Sequence, residues 1–152
     1  MNRILENTLQ FFASHARALW TPTDLGVLAL AEQGGRVVVV RHSYKSGWML
    51  PGGAVKRGEP PADAVIRELK EEIGLTHWAT PQLWGVYVRR RGLATNLIIV
   101  YRVREAVFVF KPSFEIRAVR LADPAAPPDD TSPATRRRFL ELIGEASVAP
   151  YW

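Results

Sequence analysis

Residues 52–75 read GGAVKRGEPPADAVIRELKEEIGL, and this stretch holds the helix from which the rest of the fold is worked out. Pro60 and Pro61 suit its first turn, where missing backbone N–H groups cost little. Gly74 suits its C-terminal end, where a left-handed residue stops a helix. Apolar residues recur every three or four positions, so we expect one face to be buried. That face consists of Ala62, Val65, Ile66, Leu69 and Ile73.

Runs typical of β-strands lie on both sides of this helix. They are predicted at 25–31, 36–42, 82–90, 95–104, 106–110 and 114–122. An amphipathic helix is predicted at about 3–20 and a last helix at about 133–145. This order predicts the α/β (α+β) class, with helices on both faces of a mixed central sheet in an α/β/α sandwich. We expect residues 1–152 to form a single domain.

The composition excludes several classes of site. The 152 residues carry a net charge of +5 and no cysteine, which rules out disulfides and a cysteine nucleophile. The three histidines are far apart in sequence, which argues against a zinc site, and we expect His42 and His77 at surface or capping positions. No apolar stretch is long enough to span a bilayer. Without a recognisable signal peptide, we expect no membrane association and a cytoplasmic location.

Other charged and amphipathic segments suggest partners. The predicted helix at 3–20 would dock on the core or on a second subunit, which makes a homodimer an expectation. The arginine runs at 89–91 and 136–138 are compatible with nucleic-acid binding. The alternative is a solvated strand end for the first run and a solvated helix face for the second.

Three glutamates of the predicted helix lie on one side of it. Glu68, Glu71 and Glu72 have the spacing i, i+3 and i+4, at which like charges repel. Either solvation of an exposed face or a divalent cation relieves this repulsion. The context favours the cation, because Gly52 and Gly53 just upstream allow a backbone carbonyl to approach an ion closely.

Two further charged residues belong to the same stretch. Glu59 comes at the start of the helix, where free N–H groups favour a carboxylate. Arg67 neighbours Glu68, and a fixed guanidinium holds acids ionised and oriented. Every fixed position of the Nudix box, G-x5-E-x7-R-E-U-x-E-E-x-G-U with U bulky and apolar, is filled here. The stretch therefore resembles that box through Gly53, Glu59, Arg67, Glu68, Leu69, Glu71, Glu72, Gly74 and Leu75.

The resemblance implies a reaction and a set of roles. Nudix enzymes hydrolyse a nucleoside diphosphate linked to another group, with water attacking phosphorus. Glu68, Glu71 and Glu72 are then expected to bind Mg²⁺ (or Mn²⁺), with a carbonyl of Gly52 or Gly53 as a further ligand. Arg67 is expected to pair with Glu59 or Glu68 and to lock the site. The general base is expected to be a box glutamate or a later one, for which Glu115 is the best candidate and Glu105 the fallback.

Substrate contacts outside the box are expected from basic and aromatic residues. Candidates for phosphate contacts are Arg41, Lys45 and Lys56, and candidates for base stacking are Tyr44, Trp48 and Phe114. The leading expectation is a small nucleoside diphosphate derivative of the nucleotide sugar, ADP-ribose, dinucleotide or nucleoside triphosphate type. An RNA 5′-pyrophosphohydrolase is an alternative that the basic runs suggest. A non-catalytic nucleotide-binding Nudix module is a second alternative, although no box carboxylate is lost.

Overall fold

The structure is a computed structural model that describes residues 23–91 and 94–152. The strands are β1 Thr23–Gln33, β2 Arg36–His42, β3 Gly52–Ala54, β4 Leu75–His77, β5 Gln82–Arg91, β6 Ala94–Val103, β7 Val107–Phe108 and β8 Ile116–Ala122. The helices are α1 Pro61–Ile73 and α2 Pro133–Leu142. The predicted helix at 3–20, with the homodimer contact assigned to it, lies outside the described residues. That residues 1–152 form one domain stays a prediction.

Strand β1 is the centre of the main sheet. β6 runs parallel to β1 over most of its length. β3 pairs antiparallel with β1 at residues 26–28, whereas β2 pairs with it only at Glu32 and Gln33. The strand order β5-β6-β1-β2-β8 mixes parallel and antiparallel neighbours, which confirms the predicted mixed sheet. Because β2 leaves β1 early, the short strand β3 has room to pair beside the start of β1.

Side-chain alternation along the strands builds a core on each face of this sheet. Val38 and Val40 of β2 face one core together with the buried side chains of α1. Val37 and Val39 face the other core, which contains Phe139 of α2. Burying a valine, leucine or phenylalanine fully contributes about 1.5–3 kcal/mol each. The helices therefore cover opposite faces, and the predicted α/β/α sandwich is confirmed.

Helix α1 has the ends that its sequence predicts. Pro60 is the N-cap and Pro61 the first helical residue. Gly74 ends the helix with φ 70°, and its N–H donates to the carbonyl of Lys70 at 3.1 Å. A side chain at Gly74 would collide with the Val109 carbonyl, so glycine is required for both conformation and space. Within the described residues, no helix has the length and apolarity needed to cross a membrane.

Most predicted strands are present, and two boundaries are wrong. The predicted helix at 133–145 ends at Leu142, because Gly144 turns the chain with φ 79°. The predicted strand at 106–110 shrinks to Val107–Phe108, which pairs with β4 in a separate two-stranded sheet. Glu105 precedes it with φ 56°, a left-handed conformation that interrupts extended backbone.

The arginine run on α2 is only in part the solvated helix face that the alternative interpretation predicts. Arg136 donates from Nη2 to the carbonyls of Pro128 and Asp129, at 2.7 Å each, and so fixes the preceding loop. Arg138 is fully buried, with its Nη2 2.7 Å from Glu141 Oε1. Two arginines of this run therefore have structural contacts within the protein, and one of them is buried.

The pair formed by Arg138 and Glu141 is the centre of a buried polar network. The Tyr87 hydroxyl of β5 donates to Glu141 Oε2 at 2.9 Å. The guanidinium carbon of Arg138 lies 3.9 Å from the centre of the Tyr87 ring. The N–H of Ala149 donates to Glu141 Oε1 at 3.0 Å, so the network also fixes the chain after α2. Burying a charge is costly unless it is paired and hydrogen-bonded, as it is here.

We expect Arg138→Met to lower the free energy of unfolding by about 3–5 kcal/mol, because it leaves the Glu141 carboxylate buried without its partner. The double variant Arg138→Met/Glu141→Gln removes both charges and keeps an oxygen acceptor, so it should recover more than half of that loss. Urea denaturation monitored by circular dichroism measures both. A single variant as stable as the wild type would contradict this account of the network.

Candidate active site

Helix α1 and strand β3 meet at two glycines. The N–H of Gly52 donates to Glu72 Oε2 at 2.7 Å, and the Glu72 side chain is buried, with 6% of the residue exposed. A Cβ on Gly53 would lie 2.6 Å from the carboxylate carbon of Glu68 and 2.7 Å from both of its oxygens. Real Cβ atoms do not come so close, so the absence of a side chain at Gly53 is what lets the carboxylate lie against β3.

The electrostatic environment of Glu72 disfavours its negative charge. Burial is the main cause, and the charges of Glu68, Glu115 and Glu71 add to it, whereas the Gly52 N–H acts in the opposite direction. Together they raise the pKa of Glu72 to about 8. A carboxylate in such a place lacks compensating positive charge, and a divalent cation would supply it.

Arg67 joins the carboxylates of the site to each other. Its Nε and Nη2 donate to the two oxygens of Glu59 at 2.8 and 3.0 Å, a two-pronged contact. Its Nη1 donates to Glu68 Oε1 at 2.6 Å and to Glu71 Oε2 at 3.3 Å. Its Nη2 also reaches the Ala54 carbonyl of β3 at 3.0 Å. The guanidinium therefore orients three carboxylates and ties α1 to β3.

The contacts of Arg67 keep Glu59 ionised. The Arg67 guanidinium, helped by the N–H of Lys56 at 2.9 Å, lowers the pKa of Glu59 to about 2. The same pairing raises the pKa of Arg67. Glu59 and Arg67 thus form a fixed ion pair beside the more loosely compensated carboxylates.

His42, Glu72 and Glu115 form a second cluster at the end of β2. One ligand atom of each lies within 4.8 Å of the others. His42 is buried, which corrects the expected surface or capping position, and its Nδ1 has no hydrogen-bond partner among the described residues. Burial and the nearby charge of Lys45 lower the pKa of His42 against the opposing effect of Glu115, so the ring is neutral at neutral pH. Tyr44 donates from its hydroxyl to Glu115 Oε1 at 3.2 Å.

A cavity of about 530 Å³ opens over the carboxylates. This volume suits a small organic ligand. Its wall combines acidic side chains, basic side chains and an indole, among them Glu68, Glu71, Glu115, Lys45, Arg89 and Trp152. Negative groups for a metal and positive groups for an anion therefore face one volume.

The residues predicted to contact substrate fall in different places. Lys56 lines the cavity. Arg41 pairs with Asp130, and its guanidinium carbon lies 4.6 Å from the centre of the Trp48 ring. Trp48 is 8% exposed and belongs to the core on the α2 side. In this structure Arg41 and Trp48 hold the loop before α2, and neither is among the described residues that line the cavity.

The remaining candidates outside the box also differ in placement. Tyr44 and Lys45 line the cavity, as does Glu115, the predicted alternative base. Phe114 is fully exposed, and Glu105 lies 3.9 Å from His77 on the side of β4. Glu105 is not among the residues that line the cavity.

Sequence reasoning did not assign His42, Arg89 or Trp152 to this site, although it noted the arginine run that contains Arg89. His42 had a usable signal, because it continues the alternation of Val38 and Val40, which face α1. Trp152 had none, since its position in the cavity wall depends on contacts with residues far away in sequence.

Known proteins with similar sequences share the central part of this chain. The family model of the NUDIX domain matches residues 20–143. An RNA pyrophosphohydrolase from Halorhodospira halophila is 32% identical over 80 residues, which cover 45% of this chain and 44% of that protein. The chain thus spans less than half the length of such curated relatives that it matches.

Solved structures with the same fold cover more of the chain. A MutT NUDIX hydrolase from Burkholderia pseudomallei has a TM-score of 0.70 and 22% identity, over 79% of this chain and 98% of that one. A MutT protein from Methanosarcina mazei has a TM-score of 0.65 and 26% identity, over 82% and 95%. These likenesses confirm the Nudix-type sandwich, and the family match confirms the resemblance of residues 53–75. The chain belongs to the Nudix family.

Proposed function

We propose that this protein hydrolyses the diphosphate linkage of a nucleoside diphosphate derivative in a reaction that requires Mg²⁺ or Mn²⁺. The observation that carries the proposal is the arrangement around Arg67. One guanidinium orients Glu59, Glu68 and Glu71. Arg67 and the last two of these carboxylates line a cavity that also presents basic side chains. Family membership supports the same class of reaction, hydrolysis at a pyrophosphate bond.

The proposed cation ligands are Glu68, Glu71 and Glu72, with the Gly52 carbonyl as a further ligand. The raised pKa of Glu72 and the closeness of the other carboxylates support a divalent cation, because hard cations prefer oxygen ligands. When bound, the cation neutralises diphosphate oxygens and makes water a better nucleophile. The missing side chain at Gly53 leaves room for the Glu68 carboxylate, and Arg67 holds that carboxylate in its orientation.

The remaining residues handle phosphate charge and the proton of the attacking water. Lys45, Lys56 and Arg89 line the cavity, and we assign them to the diphosphate oxygens. We assign the general base to Glu115, which is exposed, faces the cavity and is held by the Tyr44 hydroxyl. A base needs such access to the attacking water. Glu71 or Glu72 is the alternative base.

An RNA 5′-pyrophosphohydrolase is the second candidate function. The name of the relative from Halorhodospira halophila favours it, and Arg89 in the cavity wall is compatible with a longer polyanion. Against it, Arg136 bonds to loop carbonyls and Arg138 is buried, so the second basic run offers little to a nucleic acid. Steeply salt-dependent binding of triphosphorylated RNA would favour this candidate over a small substrate.

The test of the proposed function is a hydrolysis screen in millimolar Mg²⁺ or Mn²⁺. The panel contains nucleotide sugars, ADP-ribose, dinucleoside polyphosphates, nucleoside triphosphates and triphosphorylated RNA. Reaction in ¹⁸O-labelled water should place the label in a phosphate product, because water attacks phosphorus. No turnover of any compound, with folded protein and either metal present, would overturn the proposal.

We expect Glu72→Gln to lower kcat/KM by at least about 100-fold, because losing a group that merely supports metal ligands already costs about 10–100-fold. The amide keeps the size of the side chain and an acceptor for the Gly52 N–H, so the fold should survive. Initial rates on the best substrate of the screen, and Mn²⁺ affinity by electron paramagnetic resonance, measure the loss. Equal Mn²⁺ affinity in variant and wild type would contradict a ligand role for Glu72.

We expect Gly53→Ala to weaken Mn²⁺ binding by about 10–100-fold, because the new methyl group displaces the Glu68 carboxylate. Gly26→Ala on the neighbouring strand β1 is the matched control. A Cβ there meets its nearest atom, the Gly53 carbonyl oxygen, at an ordinary 3.6 Å. Isothermal titration with Mn²⁺ compares the two variants. Equal affinities would show that the position of Glu68 does not matter for the cation.

We expect Arg67→Lys to lower kcat/KM by about 10–100-fold, although it preserves the charge. A lysine ammonium cannot reproduce the two-pronged contact with Glu59 while also holding Glu68. Arg104→Lys on the exposed surface is the control and should leave the rate unchanged. A rate for Arg67→Lys as high as that of the control would show that charge alone suffices at this position.

A further inference from the structure

The segment 147–152, which follows α2, is fixed against the main sheet. The N–H of Val88 on β5 donates to the Pro150 carbonyl at 2.8 Å, and the N–H of Trp152 donates to the Val88 carbonyl at 3.1 Å. Tyr151 thereby pairs with Val88 in a parallel bridge. The backbone of this segment is thus held by the edge strand β5.

The buried pair of α2 fixes the same segment from the other side. Glu141 accepts from the N–H of Ala149 at 3.0 Å, and Arg138 Nη1 donates to the Tyr151 carbonyl at 3.3 Å. The guanidinium carbon of Arg138 also lies 5.2 Å from the centre of the Trp152 ring. Two buried charged side chains therefore hold the backbone and ring that place the indole of Trp152.

The two aromatic residues of the segment have opposite environments. Tyr151 is 64% exposed. Trp152 packs its ring edge-to-face on Tyr87, with ring centres 5.8 Å apart and planes at 73°, and it lines the cavity over the carboxylates. A large flat ring, anchored on one side and open to a cavity on the other, is the arrangement that stacks on a planar ligand.

Another aromatic residue of the cavity wall is a weaker candidate for this role. Tyr44 is 62% exposed, and its hydroxyl is engaged with Glu115. Its ring lies on the polar bend after β2, near the proposed base. Trp152 is held by more contacts than Tyr44, so less side-chain conformational entropy is lost when a ligand stacks on it.

We propose that Trp152 is the base-binding wall of the site and that it stacks on the nucleobase while the carboxylate end of the cavity receives the diphosphate. The inference rests on the proposed function, because the diphosphate places the base. Arg138 and Glu141 are positioning residues for Trp152 and do not touch the substrate. The ligand class is a nucleoside diphosphate derivative with an unpaired, accessible base.

The test compares ligands with and without a base, at equal Mg²⁺. The probes are α,β-methylene nucleoside diphosphates with each of the four bases, whose P–C–P link resists hydrolysis, and methylenediphosphonate, which has neither base nor sugar. Isothermal titration gives the affinity of wild type, Trp152→Ala, Trp152→Phe and Tyr151→Ala. Tyr151→Ala is the matched control, since it removes the exposed neighbour and leaves the backbone contacts in place.

Loss of one stacking partner weakens binding by roughly 5–150-fold per base. We expect that loss for Trp152→Ala with the nucleotide probe that wild type binds best, little change with methylenediphosphonate, and substantial recovery in Trp152→Phe. Tyr151→Ala should behave as wild type with both probes. Thermal melting of each variant separates a binding effect from unfolding. If Trp152→Ala does not fold, Trp152→Phe is compared with Tyr151→Ala instead. A nucleotide affinity below that of wild type is then expected only for Trp152→Phe.

Two results would overturn the inference about Trp152 without contradicting the proposed function. One is equal affinity of wild type for nucleotide and methylenediphosphonate, which would mean that the base is not bound. The other is unchanged nucleotide affinity in Trp152→Ala. If wild type hydrolyses no compound of the screen and binds neither probe, the proposed function fails, and the inference fails with it.

Discussion

The contact of Arg67 with Glu59, Glu68 and Glu71 is the interaction on which the site depends. It relieves the repulsion that the glutamate spacing creates on α1, since one planar guanidinium bonds to all three carboxylates. It does not compensate Glu72, whose burial raises its pKa to about 8. The one guanidinium thus contacts three of the four carboxylates, and a divalent cation would supply positive charge to the group as a whole. The excess of negative charge that would destabilise α1 as an isolated helix is therefore also the feature on which the proposed cation binding rests.

The topology of β1 provides the space for this contact. Because β2 pairs with β1 only at residues 32 and 33, the chain can bring β3 to the opposite end of the same edge. Gly52 and Gly53 then lie between β1 and α1, where a side chain would collide with Val27 or with Glu68. Two requirements explain the two glycines, one set by the local backbone and one by residues distant in sequence. Flexible backbone is needed at the turn into β3, and empty space is needed beside the glutamates of α1.

What could be predicted from the sequence was mainly local. The ends of α1 follow from proline and glycine, and the side-by-side glutamates follow from helical spacing, so residues 52–75 predict both the helix and the carboxylate cluster. The burial of Arg138 could not be predicted, because a run of three arginines gives no sign that Tyr87, 51 positions earlier, lies beneath one of them. The pairing of Arg41 with Asp130 spans 89 positions, and no sequence pattern predicts it either. Long-range packing decides which charges are solvated, and periodicity within one element does not contain that information.

The two faces of the sheet have separate consequences for the reaction. The carboxylates and Arg67 are positioned from α1 on one face, whereas the Trp152 ring is positioned from α2 through Arg138 and Glu141 on the other. With Trp152 in its proposed role, changes in the segment 147–152 would therefore alter the ligand that fits without moving a carboxylate. It follows that residues 52–75, which predict the chemistry, say little about the substrate. If Trp152 has the proposed role, the base that the site accepts depends on contacts from β5, α2 and the residues after it, and not on the carboxylates.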